Sequence, residues 1–175
     1  MEIVNYLVDL IRTRLGSGLP VNREPMDMGA VSRHMIAEMQ ALHPGRDFYL
    51  ETSGDLRGEW DKARIGQVLS NLLGNAVRYG FKGSPIGVVA NGGPDEVTLS
   101  VHNEGIPIPS DAIGRVFESL TRAVVEDGEQ HPESVNLGLG LYITNEIVAA
   151  HGGTIQVTSS QKDGTTFSTQ FPRSQ

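Results

Sequence analysis

Between Asp61 and Tyr79 the chain reads DKARIGQVLSNLLGNAVRY, and Asn71 and Asn75 within it have the types and spacing to do chemistry. Four apart, they stack one turn above the other on a helix, and Arg78 and Tyr79 extend the same side by another turn. Asparagine is a poor helix former that competes for backbone hydrogen bonds, and a helix needing only solubility would more often carry Glu and Lys there. A side-chain amide offers a donor and an acceptor without charge and cannot serve as a general base. Two readings stand: the amides cap or bridge neighbouring loops, or they face a bound group. Glycines recur further on, in Asn103-Glu104-Gly105-Ile106-Pro107 and in Asn136-Leu137-Gly138-Leu139-Gly140-Leu141. Such glycines suit loops where backbone approaches something closely.

The element that must position the amides is the helix itself. Ile65, Val68, Leu69, Leu72, Leu73 and Ala76 recur at helical spacing and form an apolar stripe for a core. Before it, Ile3 to Leu15 reads as a short amphipathic helix stopped by Gly16-Ser17-Gly18-Leu19-Pro20. That helix is expected to pack on something outside the main domain, its own copy included, or else to fold back on the core. Arg23 to Met26 is an edge strand, since Pro25 is tolerated only at an edge, and Asp27 is the N-cap of a helix that ends before His43-Pro44-Gly45. Phe48 to Glu51 and Leu56 to Trp60 read as two strands joined by a turn over Thr52-Ser53-Gly54-Asp55. After the central helix come strands over Ile86 to Ala90 and Glu96 to His102, then a short helix opened by Pro109-Ser110-Asp111 and running through Phe117. Glu118 to Asn136 is polar, acidic and aperiodic, a length of chain that inside a domain is more often a lid or binding loop than a linker. A helix over Leu141 to Ala150 and strands over Thr154 to Ser159 and Thr165 to Phe171 complete the chain. Hairpins and helices are segregated, which favours an α+β, two-layer sandwich with a mixed, mostly antiparallel sheet packed on helices.

Composition narrows the function classes. At 175 residues, with 38% hydrophobic and 20% charged residues, the chain suits one ordinary domain with a short appendage. No apolar run spans a membrane, no signal-peptide pattern is present, and there is no Cys to staple a secreted fold or bind zinc. A cytoplasmic setting is expected. The net charge of -7 argues against holding nucleic acid through its phosphates. It leaves room for a nucleotide, which a few groups and a metal can hold locally. Glycine is in excess, 21 residues or about 12% against a usual level near 7%.

Read together, Asn71 to Ala76, Asn103 to Pro107, Phe117 with Arg122, and Asn136 to Leu141 resemble, in this order and spacing, the N, G1, F and G2 boxes of the ATP-binding catalytic domain of sensor histidine kinases, a branch of the GHKL ATPases. The closing Ala150-His151-Gly152-Gly153-Thr154-Ile155 and Gly164-Thr165-Thr166-Phe167 resemble that family's end, so the likeness covers roughly Arg23 to Arg173. The resemblance implies ATP and Mg²⁺ as cofactors. Asn75 matches the family's metal-binding asparagine, and an amide oxygen is a hard ligand that adds no negative charge beside phosphates. Asn71 stands where GHKL hydrolases carry a water-activating Glu, so a site with an amide there presents ATP to another nucleophile. Arg78 and Tyr79 resemble the basic-aromatic pair after the N box. Asn103 is implied for the adenine, Arg122 in the lid for a phosphate, and Gly105, Ile108, Phe117 and Thr165 for the nucleotide. Leu137, Gly138, Leu139, Gly140 and Leu141 bring backbone N-H groups and a helix N-terminus to the phosphates, with no Walker-type Lys.

Two positions depart from the pattern: relatives mostly carry Asp at Asn103 and a second Gly at Pro107. An Asn oxygen still accepts from the adenine amino group, while its amide donates equally to a guanine carbonyl in another orientation. None of His34, His43, His102, His131 and His151 has the setting of a phosphoacceptor. The expected architecture is therefore residues 1–20 as the end of a dimerisation and phosphotransfer hairpin with its linker, and 21–175 as the catalytic domain. The expected function is transfer of the ATP γ-phosphate to a histidine on a separate domain of the same protein, which then serves a response-regulator receiver domain. The full-length protein is expected to be a homodimer, anchored to a membrane if at all by parts outside this chain. A non-catalytic nucleotide-binding regulatory module is the alternative, and a serine kinase of the anti-sigma type is disfavoured because Asn71 is not a carboxylate.

Overall fold

The computed structural model describes Val8, Asp9, Ile11 and residues 18–118 and 139–173. Strand β1 (Glu24–Asp27) leads into helix α1 (Met28–Leu42), followed by β2 (Phe48–Gly54), β3 (Arg57–Trp60) and helix α2 (Lys62–Tyr79). Then come β4 (Ile86–Gly92), β5 (Glu96–Asn103), the short α3 (Ser110–Ile113), α4 (Gly140–Ala150), β6 (Thr154–Ser160) and β7 (Gly164–Pro172). The main sheet is five-stranded in the order β2-β4-β5-β7-β6, with β2 and β4 parallel and the other neighbours antiparallel. Helices α1, α2 and α4 cover one face of it, which is the expected α+β sandwich. On β5 the inward residues are Val97, Leu99, Val101 and Asn103. Outward residues are polar and bond across strands, as Ser100 does with Ser168 at 2.8 Å and His102 Nδ1 with Thr166 Oγ1 at 2.9 Å.

Two local expectations need correction, and one open reading gains a contact. The Thr52 to Asp55 segment is no hairpin turn: β2 continues through Gly54 and pairs with the distant β4, while β3 pairs antiparallel with β1 in a separate two-stranded ribbon. Gly54, at a φ of 71°, takes the chain out of the main sheet. The helix after Pro109 ends at Ile113, where Gly114 interrupts it, and does not run through Phe117. The N-terminal helix touches the domain: Asp9 is buried and pairs with both terminal nitrogens of Arg64, at 2.6 and 3.1 Å. Most of that helix, and all of Glu118 to Asn136 beyond Glu118, lies outside the described residues.

The central helix forms as its pattern requires. Asp61 caps it by accepting from Arg64 N at 3.1 Å, and Ile65, Val68, Leu69, Leu72, Leu73 and Ala76 are its buried residues. Burying an aliphatic side chain of this size contributes about 1.5–3 kcal/mol. The start of α2 is also tied to the end of α4. His151 is fully buried; its Nδ1 donates to Ile147 O at 2.8 Å, leaving Nε2 to accept from Asp61 N at 3.0 Å. Asp61 Oδ2 in turn accepts from Asn22 N at 2.8 Å. Trp60, just before this knot, is fully buried and donates from its indole nitrogen to Pro172 O at 2.8 Å, joining β3 to the end of β7.

Two outcomes are expected. Gly74 lies exposed inside α2, and a Cβ built on it meets nothing within 4 Å. Gly74→Ala should therefore raise stability by about 0.5–1 kcal/mol in chemical denaturation. Burial, with help from nearby Arg23 and Arg64 and against the pull of Asp61, holds the His151 pKa below its ordinary 6.5. The unfolded chain then binds the extra proton first, so this residue's contribution is complete above pH 6.5 and is lost as pH falls below it, at up to about 1.4 kcal/mol per unit. Denaturation midpoints compared between pH 7.5 and 5.5 should show that slope, and His151→Gln should flatten it.

Candidate functional site

The polar side of α2 splits into two roles. Asn71 is half-buried, and its Nδ2 donates to Gly140 O at 3.0 Å and to Thr144 Oγ1 at 3.1 Å. Thr144 is itself buried and donates to Gly140 O at 2.8 Å. Asn71 therefore staples α2 to the first turn of α4, the bridging role that the plainer sequence reading gives it. Asn75, one turn on, is half-buried and has no side-chain hydrogen-bond partner among the described residues. Arg78 and Tyr79 are exposed, with the guanidinium carbon 5.6 Å from the Tyr79 ring centroid, a cation–π contact.

Beyond Tyr79 the helix end meets the Gly105 segment. Gly80 and Gly105 form an antiparallel bridge, and Phe81 N donates to Glu104 O at 2.8 Å. A Cβ on Gly105 would stand 2.3 Å from Tyr79 O, and one on Gly80 would stand 2.5 Å from Ala76 O. Only glycine allows that approach. The same corner holds a residue that the sequence reading missed. Arg46, buried in the loop between α1 and β2, donates from Nη2 to Val77 O at 3.0 Å, Gly80 O at 3.1 Å and Ala76 O at 3.4 Å, and from Nη1 to Phe81 O. A cation at a helix C-terminus satisfies orphan carbonyls and opposes the dipole. Nothing local in Pro44-Gly45-Arg46 signals this, because its acceptors lie more than 29 residues away.

Asn103 ends β5 with 6% of its surface exposed. Its amide has no hydrogen-bond partner among the described residues, yet no buried side-chain nitrogen or oxygen there is sealed without one. The small exposed part of Asn103 thus includes its amide, which a ligand could reach. Thr165 lies directly opposite on β7 and is 5% exposed. Ile108 donates its backbone N-H to Ser159 Oγ at 2.9 Å, and Phe117 packs edge-on against Phe167 at 6.1 Å. At the other side, Leu139 is buried at the N-cap of α4, Gly140 opens the helix and Leu141 is half-buried against the core. Among the described residues no side chain caps that helix start, so its first N-H groups are the kind that bind anions. The structure brings Asn71 and Gly140 together, and Asn103 beside Thr165. Arg122, Leu137 and Gly138 lie outside the described residues.

Residues 60–175 match the family described as histidine kinase-, DNA gyrase B-, and HSP90-like ATPase. The chain is 32% identical over 171 residues to a bacteriophytochrome of Pseudomonas aeruginosa, covering 98% of this chain and 23% of that protein. It is 33% identical over 171 residues to the sensor histidine kinase YkoH of Bacillus subtilis, covering 97% of this chain and 36% of that protein. It therefore spans 23% to 36% of the length of these two curated relatives. Among solved structures, the catalytic domain of the histidine kinase ThkA in a nucleotide-free form aligns with a TM-score of 0.76 at 26% identity, covering 88% of this chain and 99% of that one. Full-length ShkA in complex with AMPPNP aligns with a TM-score of 0.79 at 24% identity, covering 99% of this chain and 36% of that one, a likeness of fold. The chain belongs to the histidine kinase-, DNA gyrase B- and HSP90-like ATPase family, with the fold of histidine kinase catalytic domains.

Proposed function

We propose that this chain binds Mg-ATP and delivers the γ-phosphoryl group to a histidine on a dimerisation domain outside it, as the catalytic part of a two-component sensor histidine kinase. The observation that carries this reading is the face of α2 next to the α4 N-terminus. It offers two amides, and the one at Asn71 already spends its N-H groups on Gly140 and Thr144. Neither amide can activate water, so the site favours delivery over hydrolysis. The histidines support an outside acceptor. His34 pairs with Glu38 at 3.3 Å on the surface, His43 ends α1, His102 bonds Thr166 and His151 is buried, while His131 lies outside the described residues.

The residues divide the work by chemistry. The reachable amide of the largely buried Asn103 supplies hydrogen bonds to the base, and leaving such a group unmet costs about 1–3 kcal/mol. The α4 N-terminus and the Arg78 cation face negative charge. The half-buried Asn75 fits a hard cation, and among the described residues no three His, Cys, Asp or Glu side chains converge on a metal site. Asn75 would hold Mg²⁺ by its amide oxygen, and the ion would neutralise charge on the phosphates. A receiver domain as the next phosphate acceptor, a homodimeric full-length protein and a cytoplasmic location belong to the same proposal. Among the described residues no helix is long and apolar enough to cross a membrane.

The purified chain, given labelled ATP and its hairpin domain, should place acid-labile phosphate on that domain and none on itself. Asn75→Ala should cut transfer at least ~10-fold. Binding of ATP without transfer under any pairing would mark a regulatory module instead, and label on the chain alone would overturn the outside acceptor. Asn103→Ala should weaken ATP binding in calorimetry by about 10-fold, ~1.4 kcal/mol; unchanged affinity would remove Asn103 from the site.

A further inference from the structure

At the end of the sheet three polar residues stand in one register row across three strands. Asn103 on β5 pairs with Thr165 on β7, and Thr165 pairs with Ser159 on β6. Directly opposite residues put their side chains on the same face, about 4.5–5.5 Å apart. Ser159 is half-buried, and its Oγ has two partners among the described residues: it accepts from Ile108 N at 2.9 Å and lies 2.7 Å from Thr165 Oγ1.

A hydroxyl has one proton and two lone pairs. With the Ile108 N-H on one lone pair, Ser159 can either donate to Thr165 or accept from it. Accepting would leave the Ser159 proton without an acceptor among the described residues. Donating satisfies both contacts and frees the Thr165 proton for a ligand. With the Asn103 amide turned to offer Oδ1, this row then presents an acceptor from Asn103 beside a donor from Thr165. An adenine edge, with its amino donor next to a ring-nitrogen acceptor, matches that order. A 6-keto purine, with a carbonyl next to a ring N-H, reverses it.

We infer that Ser159 is a positioning residue that fixes the direction of the Thr165 hydroxyl and so sets the preference of this site for a 6-amino over a 6-keto purine nucleotide. The inference rests on the nucleotide reading of the site. It assigns the discrimination that a neutral Asn103 cannot supply alone, since an amide can turn over to suit either edge. Ile108 gains a second role, because its N-H occupies the lone pair that would otherwise let Ser159 reverse.

The test uses ATP and inosine triphosphate, which differ at that edge, in binding titrations of the purified chain. Wild type should prefer ATP. Ser159→Ala should lower the ATP-to-inosine-triphosphate affinity ratio by about 5-fold or more, and Ser159→Thr, which keeps the hydroxyl, should restore it. A merely structural role would weaken both nucleotides in the same proportion, and an unchanged ratio in Ser159→Ala overturns the inference while ATP binding itself stands. A wild-type chain that bound neither nucleotide would overturn the nucleotide reading and this inference with it. Should Ser159→Ala melt below the assay temperature, the near-isosteric Ser159→Cys, a weak donor, carries the same comparison, and an unchanged ratio there is equally decisive.

Discussion

The C-terminal end of α2 needs partners for its last carbonyls, and the buried cation that supplies them determines what can be built around it. The carbonyls of Ala76, Val77, Gly80 and Phe81, two from the last turn of α2 and two from the chain just after it, converge on the buried Arg46 guanidinium. Hydrogen bonds to a charged group are worth about 1.5–3 kcal/mol each before the cost of burying the charge. The same corner brings Tyr79 O against Gly105 and bonds Phe81 to Glu104. Arg78, Tyr79 and the segment carrying Asn103 are thereby positioned from one point, although Arg46 belongs to none of them.

The other end of α2 is fixed by a different device, a neutral histidine. His151 and Asp61 join the end of α4 to the start of α2, and Asn71 joins the same two helices at the opposite end of α4. The helix pair is pinned twice, and Asn75 lies one turn beyond the second pin. Asn71 and Asn75 share a residue type and a helix side, yet one is consumed by architecture and the other has its amide uncommitted among the described residues. That division explains why two poor helix formers are tolerated in the element the core is built on.

What was legible in the sequence was what is local. The six apolar residues at helical spacing are the buried residues of α2, and Asp27 caps α1 by accepting from Ala30 N at 3.1 Å. The glycine at position 105 could be read as a close approach, though not what approaches it. Pairing between distant segments was hidden. Strand β2 finds its partner β4 beyond the whole of α2, so the run Thr52 to Asp55 looks like a hairpin turn when only its neighbours are considered. The register row of Asn103, Thr165 and Ser159 was equally invisible, because it depends on how three strands align and not on any spacing along one of them. Periodicity reports which face is buried; it carries no information on who sits opposite.

Trp60 gives the molecule a built-in optical division of labour. It is the only tryptophan in the chain, and its indole is sealed between β3 and the far end of β7. Pro172, its partner, lies seven residues along β7 from Thr165, roughly 23 Å in an extended strand. Its fluorescence therefore reports whether β3 and the end of β7 are joined. Tyr79, by contrast, is half exposed beside Arg78 at the end of α2. Tyrosine emission sums over the four tyrosines of the chain, whereas tryptophan emission belongs to this one joint.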